Sequence, residues 1–298
     1  MKFTLKQLRY FLAVAEHGNV TTASEHLFVS QPAISNAINQ LEEYFGVQLL
    51  IRHHAKGVSL TQAGSDLLIE ASQLMRHAEE VQSHIKEHSE SLIGAINLGC
   101  FVTLAPLYIP KLINRFNEIY PDVSFALNEG NIEEISQSLL SGKTELAFVY
   151  DLGLSDRIKI HELAQLTPKV ILPSGHKLAK KKTLKFEDLE HEPMVLLDLP
   201  HSREYFQSLF DGHGFKPQIR HRTGSFELVR SLVGNGYGYS IVNLSPQTNI
   251  CYDGSSIVAI PLAEDARPLS LVVARAANVR LPKRSEVFLD FCKANFQI

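Results

Sequence analysis

Between Val20 and Phe45 the sequence reads VTTASEHLFVSQPAISNAINQLEEYF, and no other stretch restricts the fold so tightly. Two short helical patterns meet there at a tight break. In the first, Ala23 and Leu27 lie four apart on one face, Thr21 or Thr22 can cap the start, and Glu25 follows at about the distance a capping box needs. Phe28-Val29 closes that helix and Ser30-Gln31-Pro32 opens the next, where a proline in the first turn sacrifices no hydrogen bond. Ile34, Ala37, Ile38, Leu41 and Phe45 then recur at spacings of three and four. The opposite face, Gln31, Ser35, Asn36, Asn39 and Gln40, is neutral and rich in amides. This is a helix-turn-helix in outline. An amide side chain carries donor and acceptor side by side, as adenine does in the major groove. On spacing alone, an ordinary helical hairpin with its amides in water fits equally well.

The particular residues separate these readings. Leu8-Arg9-Tyr10-Phe11, Ala13-Val14-Ala15-Glu16, Ala23-Ser24, Leu27, Val29-Ser30-Gln31-Pro32-Ala33-Ile34-Ser35, Ile38, Leu41-Glu42 and Gly46 closely resemble the N-terminus of LysR-type transcriptional regulators. Leu60-Thr61 and Ala63-Gly64 extend the likeness, Leu50 stands where the family commonly has Phe, and Asn36 stands where it often has Arg, which leaves the base preference open. The formal net charge is −3, and the first sixty residues hold five Lys or Arg against four acids, so charge neither demands nor forbids DNA. The second helix carries no basic side chain, which leaves phosphate neutralisation to its flanks and to helix N-termini. After Gly46, VQLLIRHHAKGVSLT turns at Ala55-Lys56-Gly57 as a short hairpin wing. Arg52, His53, His54 and Lys56 cluster there, as phosphate contacts or as a solvated turn, with no further metal ligand at suitable spacing. The DNA-facing set is therefore Thr21, Ser30, Gln31, Pro32, Ala33, Ser35, Asn36 and Asn39, with Arg52, His53 and Lys56 from the wing.

A chain of 298 residues exceeds what one core usually fills, so several domains are expected. Leu5, Leu8, Phe11, Leu12 and Ala15 make a first helix that stops at Gly18-Asn19. Its FLAVA run meets Glu16 and His17, so it reads as an amphipathic helix rather than a secretory signal. No apolar run approaches the roughly 18 residues of a membrane span. Cys100, Cys251 and Cys292 are odd in number and widely spaced, which makes no metal pattern and points to a reducing compartment. A cytoplasmic protein without membrane contact, metal or cofactor is expected.

From Gln62 to about Ser91 the pattern becomes one long helix. Leu67, Ala71, Leu74, Ala78, Val81, Ile85 and Leu92 step by four, three, four, three, four and seven, a heptad seam suited to pairing two chains. Ile93 to Gly99 then reads as a strand. Helical stretches (105–119, 132–140) alternate with apolar strands (123–127, 145–149). A second set follows: 169–172, 194–197, the helix 203–210, 219–222, the helix 226–234, and 239–242. A strand at 267–274 and a helix at 285–294 close the chain. This is βαβ grammar with a mostly parallel sheet. The expected fold is α/β overall: an N-terminal all-α winged helix-turn-helix (1–61), a dimerising linker helix (62–91), and a two-lobed α/β domain (92–298). Lobe I takes about 92–163 and 267–298, and lobe II about 164–266. The lobes resemble the periplasmic-binding-protein-like effector domain of the same family. That resemblance implies promoter DNA and a small-molecule effector as partners, a homodimer extending to a homotetramer, and RNA polymerase as a possible further partner.

Ligands of such sheets sit beyond the carboxyl ends of strands. The first such loop is Cys100-Phe101-Val102-Thr103 and its counterpart is Leu199-Pro200-His201-Ser202-Arg203, with Thr103 and Ser202 able to cap the following helices or to hold an anion. Tyr150, Ser225, Phe226 and Asn243 are further wall candidates, and Arg203 offers a fork for a carboxylate. A small organic anion, such as a carboxylic or amino acid, is the expected cargo. Cys100 at this mouth reads as a redox sensor or, more simply, as a small residue ending a strand. Gly234-Asn235-Gly236-Tyr237-Gly238 closes a helix and feeds a strand, the reverse of a dinucleotide fingerprint. Asp198, His201 and Ser202 share one loop, which makes triad geometry improbable. Solute binding and hydrolysis are thus the weaker alternatives to regulation, and no catalytic residue is assigned.

Overall fold

The computed structural model describes residues 3–53, 57–86, 92–244, 246–262 and 266–296, and within these the side chains of all but Arg76 and residues 79–86. Helix α1 (Leu5–His17) opens with a capping box: Thr4 accepts from the Gln7 amide, and Gln7 accepts from the Thr4 amide at 2.7 Å. It stops at Gly18, whose φ of 61° is left-handed. Helix α2 (Val20–Leu27) is capped by Asn19, which accepts from the Thr21 amide at 2.8 Å. The expectation of Thr21 or Thr22 as the cap is thus corrected. Asn19 already holds the extended cap conformation, and both threonines lie inside the helix. In α3 (Gln31–Phe45), Ile34, Ala37, Ile38 and Leu41 are buried against Leu8, Phe11, Val14 and Ala23. Phe45 is the exception on that face, 39% exposed and leaning on Phe3 and Tyr44.

Strands β1 (Leu50–His53) and β2 (Gly57–Leu60) form the antiparallel wing, with Ile51 opposite Ser59. A Cβ at Gly57 would collide with the Gly18 carbonyl, to which the Val58 amide donates at 2.8 Å. The wing therefore rests on the α1–α2 turn. Glu42 accepts from the Leu49 and Leu50 amides at 2.8 and 3.2 Å, tying the end of α3 to the start of the wing. Helix α4 (Gln62–Lys86) begins under Thr61, whose hydroxyl accepts from the Gly64 amide at 2.9 Å. Only glycine fits at position 64, because a Cβ would run into the Leu49 carbonyl. Of the heptad positions, Ala71 is already buried in this chain's own head, Leu67 packs partly there, and Leu74 is 40% exposed. The side chains of Val81 and Ile85, and the expected continuation to Ser91, lie outside the described residues.

The remaining chain folds as two lobes. Lobe I begins with β3 (Gly94–Phe101), α5 (Ala105–Asn117), β4 (Val123–Gly130), α6 (Ile132–Leu140), β5 (Leu146–Tyr150) and β6 (Ile158–Leu166). The chain crosses to β7 (Lys169–Pro173), β8 (Pro193–Leu197), α7 (Ser202–Ser208), β9 (Gln218–Thr223), α8 (Phe226–Gly234), β10 (Ser240–Val242) and β11 (Ile257–Pro261). It returns through β12 (Leu269–Ala276) and ends in α9 (Lys283–Asn295). The lobe I sheet has the order β4-β3-β5-β12-β6, parallel around β3 and antiparallel around β12. Lobe II holds the antiparallel sheet β10-β7-β11 and the parallel pair β8-β9, linked by a bridge between Met194 and Tyr239. The expectation of a mostly parallel sheet is corrected: β6 and β11, which periodicity did not single out, pair antiparallel beside the two crossings. Strand β6 reads IKIHELAQL and is buried chiefly at its ends, so it lacks the apolar run that marks a buried strand.

Glu145 fixes α9 to this frame. Its carboxylate is 1% exposed, meets the Arg284 guanidinium at 3.2 Å and the Asn97 amide at 3.2 Å, and accepts from the Ser285 hydroxyl. A buried charge of this kind is tolerable only while its partners stay in place.

Candidate nucleic-acid interface and inter-lobe cleft

The burial of Ile34, Ala37 and Ile38 turns the other side of α3 outward. Gln31, Pro32, Ala33 and Asn36 are exposed there, with Thr21 and Ser30 exposed beside them and Ser35 half-buried. Asn39 is exposed but engaged: its side-chain oxygen accepts from Arg52 at 2.9 Å, so the wing is pinned to the helix that it flanks. Gln40 likewise accepts from Gln7 at 2.7 Å, which takes it out of the free amide row. His53 bonds the Ser59 hydroxyl across the hairpin at 2.7 Å. His54 and Lys56 lie outside the described residues. Sequence reasoning missed Phe28, which is 95% exposed at the turn into α3 with a φ of 54°. An aromatic residue in left-handed backbone is strained, and nothing in the sequence signalled it.

The loops after β3 and β8 share one cavity. Phe101 and Thr103 enter it from the first loop and Ser202 from the second, with Tyr150, Tyr205, Phe226 and Asn243 also on its walls. Phe101 and Tyr150 meet edge to face at 5.3 Å. About 20 Å3 of free space remains, room for roughly one water molecule. The lobes are therefore closed on each other. Tyr150 is buried beside Thr103 on the cavity wall, and burial drives its phenol pKa upward.

Several expected roles are corrected. Thr103 does not cap α5, because Leu104 takes the cap position in helical conformation. Ser202 does not cap α7, because it lies inside the helix and His201 precedes it with a φ of 62°. Ser225 does cap, accepting from the Leu228 amide at 3.3 Å, and lies outside the cavity lining. Arg203 turns away to Asp198 and Glu204, both at 2.9 Å, so its fork is already filled. His201 packs against Gly153 and stands 3.8 Å from Glu133, a contact across the two lobes at the cleft rim. Asp198 thus serves arginines and His201 a glutamate, so the loop assembles no triad. Cys100 is 1% exposed, and burial followed by the charge of Glu129 pushes its thiol pKa up, the environment of an inert structural cysteine rather than a sensor. Val102 is exposed outside the cavity.

Asn243 holds more than its place on the wall suggested. Its side-chain nitrogen donates to the Leu166 carbonyl at 3.1 Å and to the Tyr205 hydroxyl at 2.8 Å. Tyr205 in turn donates to the Arg267 carbonyl at 2.8 Å, and burial raises its pKa to about 12. Leu166 ends β6 and Arg267 precedes β12, so one side chain is tied to both crossings. Among the described residues, no three His, Cys, Asp or Glu side chains are grouped as a metal would require, and no helix is long and apolar enough to cross a membrane.

Residues 5–65 match the bacterial regulatory helix-turn-helix protein family of the lysR type, and residues 89–297 match the LysR substrate binding domain. The chain belongs to the LysR family of transcriptional regulators. It is similar to HinK of Pseudomonas aeruginosa, a LysR family transcriptional regulator, at 39% identity over 98% of both chains with a TM-score of 0.66. It is 26% identical to the transcriptional regulator CysL of Bacillus subtilis over 97% of each protein. The fold is also that of full-length CbnR in complex with its target DNA, at 24% identity, 98% and 99% coverage and a TM-score of 0.58. As a LysR-family regulator, the chain combines a DNA-binding helix-turn-helix with an effector domain, and it is not an enzyme.

Proposed function

We propose that this LysR-family regulator reads promoter DNA with the exposed N-terminal half of α3, and that a compact organic anion held between the lobes resets that reading. One observation carries the first part: α3 buries its apolar row and exposes Gln31, Pro32, Ala33 and Asn36 together. These residues fit base edges, with Thr21, Ser30 and Ser35 beside them, while Asn39 holds Arg52 of the wing for phosphates, and His53 and Lys56 are further phosphate contacts by residue type.

The second part rests on a cavity lined by the hydroxyl-bearing Thr103, Tyr150 and Ser202 and, among the described residues, by no carboxylate. Its free space is too small for a metabolite, so binding selects an opened arrangement of the lobes. The ligand acts only through its unequal affinity for the open and closed forms. We assign residues 1–61 to the DNA-binding head, 62–91 to a linker helix that pairs two chains, and 92–298 to the effector domain. Pairing is supported by an apolar groove of about 610 Å3 between the head and α4, lined by Phe3, Phe45, Val47, Leu67 and Leu74 among others. An exposed apolar groove of this kind marks an interaction site, and a second copy of α4 is the occupant we assign to it.

Calorimetry of the full chain with a panel of small carboxylates tests the effector reading. Thr103→Val and Ser202→Ala remove donors with little change of shape, so each should weaken binding by about 0.5–1.5 kcal/mol. Unchanged affinity in both variants, or tight binding of a cation instead, would refute the anion reading.

A further inference from the structure

We propose that the effector carries, besides its acidic group, an N–H or O–H that donates to the side-chain oxygen of Asn243. The inference rests on the reading of the inter-lobe cavity as the effector site. Asn243 is 7% exposed, lines that cavity, and its Oδ1 is buried without a hydrogen-bond partner.

The orientation of the amide is fixed by its neighbours. The nitrogen faces the Leu166 carbonyl, which can only accept, and the Tyr205 hydroxyl, whose own proton is given to the Arg267 carbonyl. Rotating the amide would set its oxygen against the Leu166 carbonyl and waste both donors. The unsatisfied atom is therefore an acceptor. A buried acceptor left bare is costly, and a site with such an atom favours a ligand that supplies the missing donor. The closed cavity that Asn243 lines has space for about one water-sized group. A ligand hydroxyl or ammonium takes that space as the lobes part.

The placement also says what the contact controls. Asn243 belongs to lobe II, yet it holds the carbonyl of Leu166 directly and that of Arg267 through Tyr205, one on each crossing between lobes. A ligand that donates to its oxygen bonds a side chain linked, directly and through Tyr205, to both crossings. Hydroxy acids and amino acids have the required pairing of charges and donors, whereas simple carboxylic acids do not.

The test uses the full chain and matched probes of three to eight carbons: the parent carboxylate, its 2-hydroxy and 2-amino derivatives, and the corresponding neutral alcohol. Affinities are measured by calorimetry on the parent protein and on Asn243→Leu. On a skeleton that fits, the hydroxy or amino acid should bind about tenfold or more tighter than the parent carboxylate, and Asn243→Leu should abolish that ratio even if it also changes the affinity of the parent carboxylate itself. Equal affinity of the parent carboxylate and its derivatives overturns the donor inference and leaves the anion reading intact. Binding of alcohols but of no carboxylate has the opposite meaning. Failure of every probe to bind overturns both. If Asn243→Leu fails to fold, the ratio measured on the parent protein still decides.

Discussion

The head and the cleft of this regulator present polar groups in opposite ways. On α3, Gln31 and Asn36 stand in water with their amide ends free. In the cleft, Tyr205 and Asn243 are buried and bonded to each other and to the two crossings, with Thr103 and Tyr150 buried beside them. The difference follows from the partners. Duplex DNA is a large, preformed surface that can be met only by side chains already on display. A small molecule is read by enclosure, so its contacts must be shielded, and in the closed cleft the Asn243 donors are spent internally while its oxygen is left over. It follows that substitutions on α3 should change recognition and spare the fold, while those in the lobes should disturb both.

Arg284→Ala puts the greatest load on that contrast. It strips the guanidinium from Glu145, whose carboxylate is 1% exposed, and should cost about 3–5 kcal/mol in denaturant unfolding of the effector domain. A loss below about 1 kcal/mol would mean that the buried polar network is dispensable. Tyr205→Phe comes next: the Arg267 carbonyl and one Asn243 donor lose their partner, for about 1–3 kcal/mol. Both stability and effector affinity should fall together in this variant, and a drop in affinity alone would separate the hinge from the fold. Leu74→Asp acts at neither site. Its side chain is 40% exposed in one chain and borders the apolar groove, so the substitution should weaken dimerisation about tenfold or more by sedimentation equilibrium, worth roughly 1.4 kcal/mol. Unchanged dimers would move the interface elsewhere. The smallest effect has the opposite sign. Phe28→Gly relieves left-handed strain at a side chain 95% exposed and should stabilise the head by roughly 0.5–1 kcal/mol. A lower melting temperature would show that the Phe28 ring makes contacts that matter.

The same contrast explains what the sequence disclosed. The apolar row of α3 was legible because Ile34, Ala37, Ile38 and Leu41 repeat with helical period, and the exposed amide face follows from it by subtraction. Helix α8 and the hairpin wing were legible for similar local reasons. The cap of α2 was not, because Asn19 also follows the glycine that ends α1, and one residue served two boundaries. In the cleft, residue types pointed to the right loops, but side-chain partners are set by contacts far along the chain. Arg203 was sought as an anion fork, and Asp198 claims it. Asn243 looked like one wall residue among several, and only folding brings Leu166 and Tyr205 to it. Edge strand β6 was missed for its weak apolar signal, and with it the antiparallel half of the lobe I sheet.

The claim that α3 reads bases through its exposed amide face is tested most directly by Gln31→Ala on two DNAs. A preferred duplex is first selected from random sequence with the full-length protein, and affinities are then measured for that duplex and for a scrambled one at a single fixed salt concentration. The account predicts a loss of about 1–3 kcal/mol on the selected duplex, little change on the scrambled one, and an unaltered melting temperature. Equal losses on both duplexes would contradict it, and would make Gln31 a backbone contact rather than a reader of sequence.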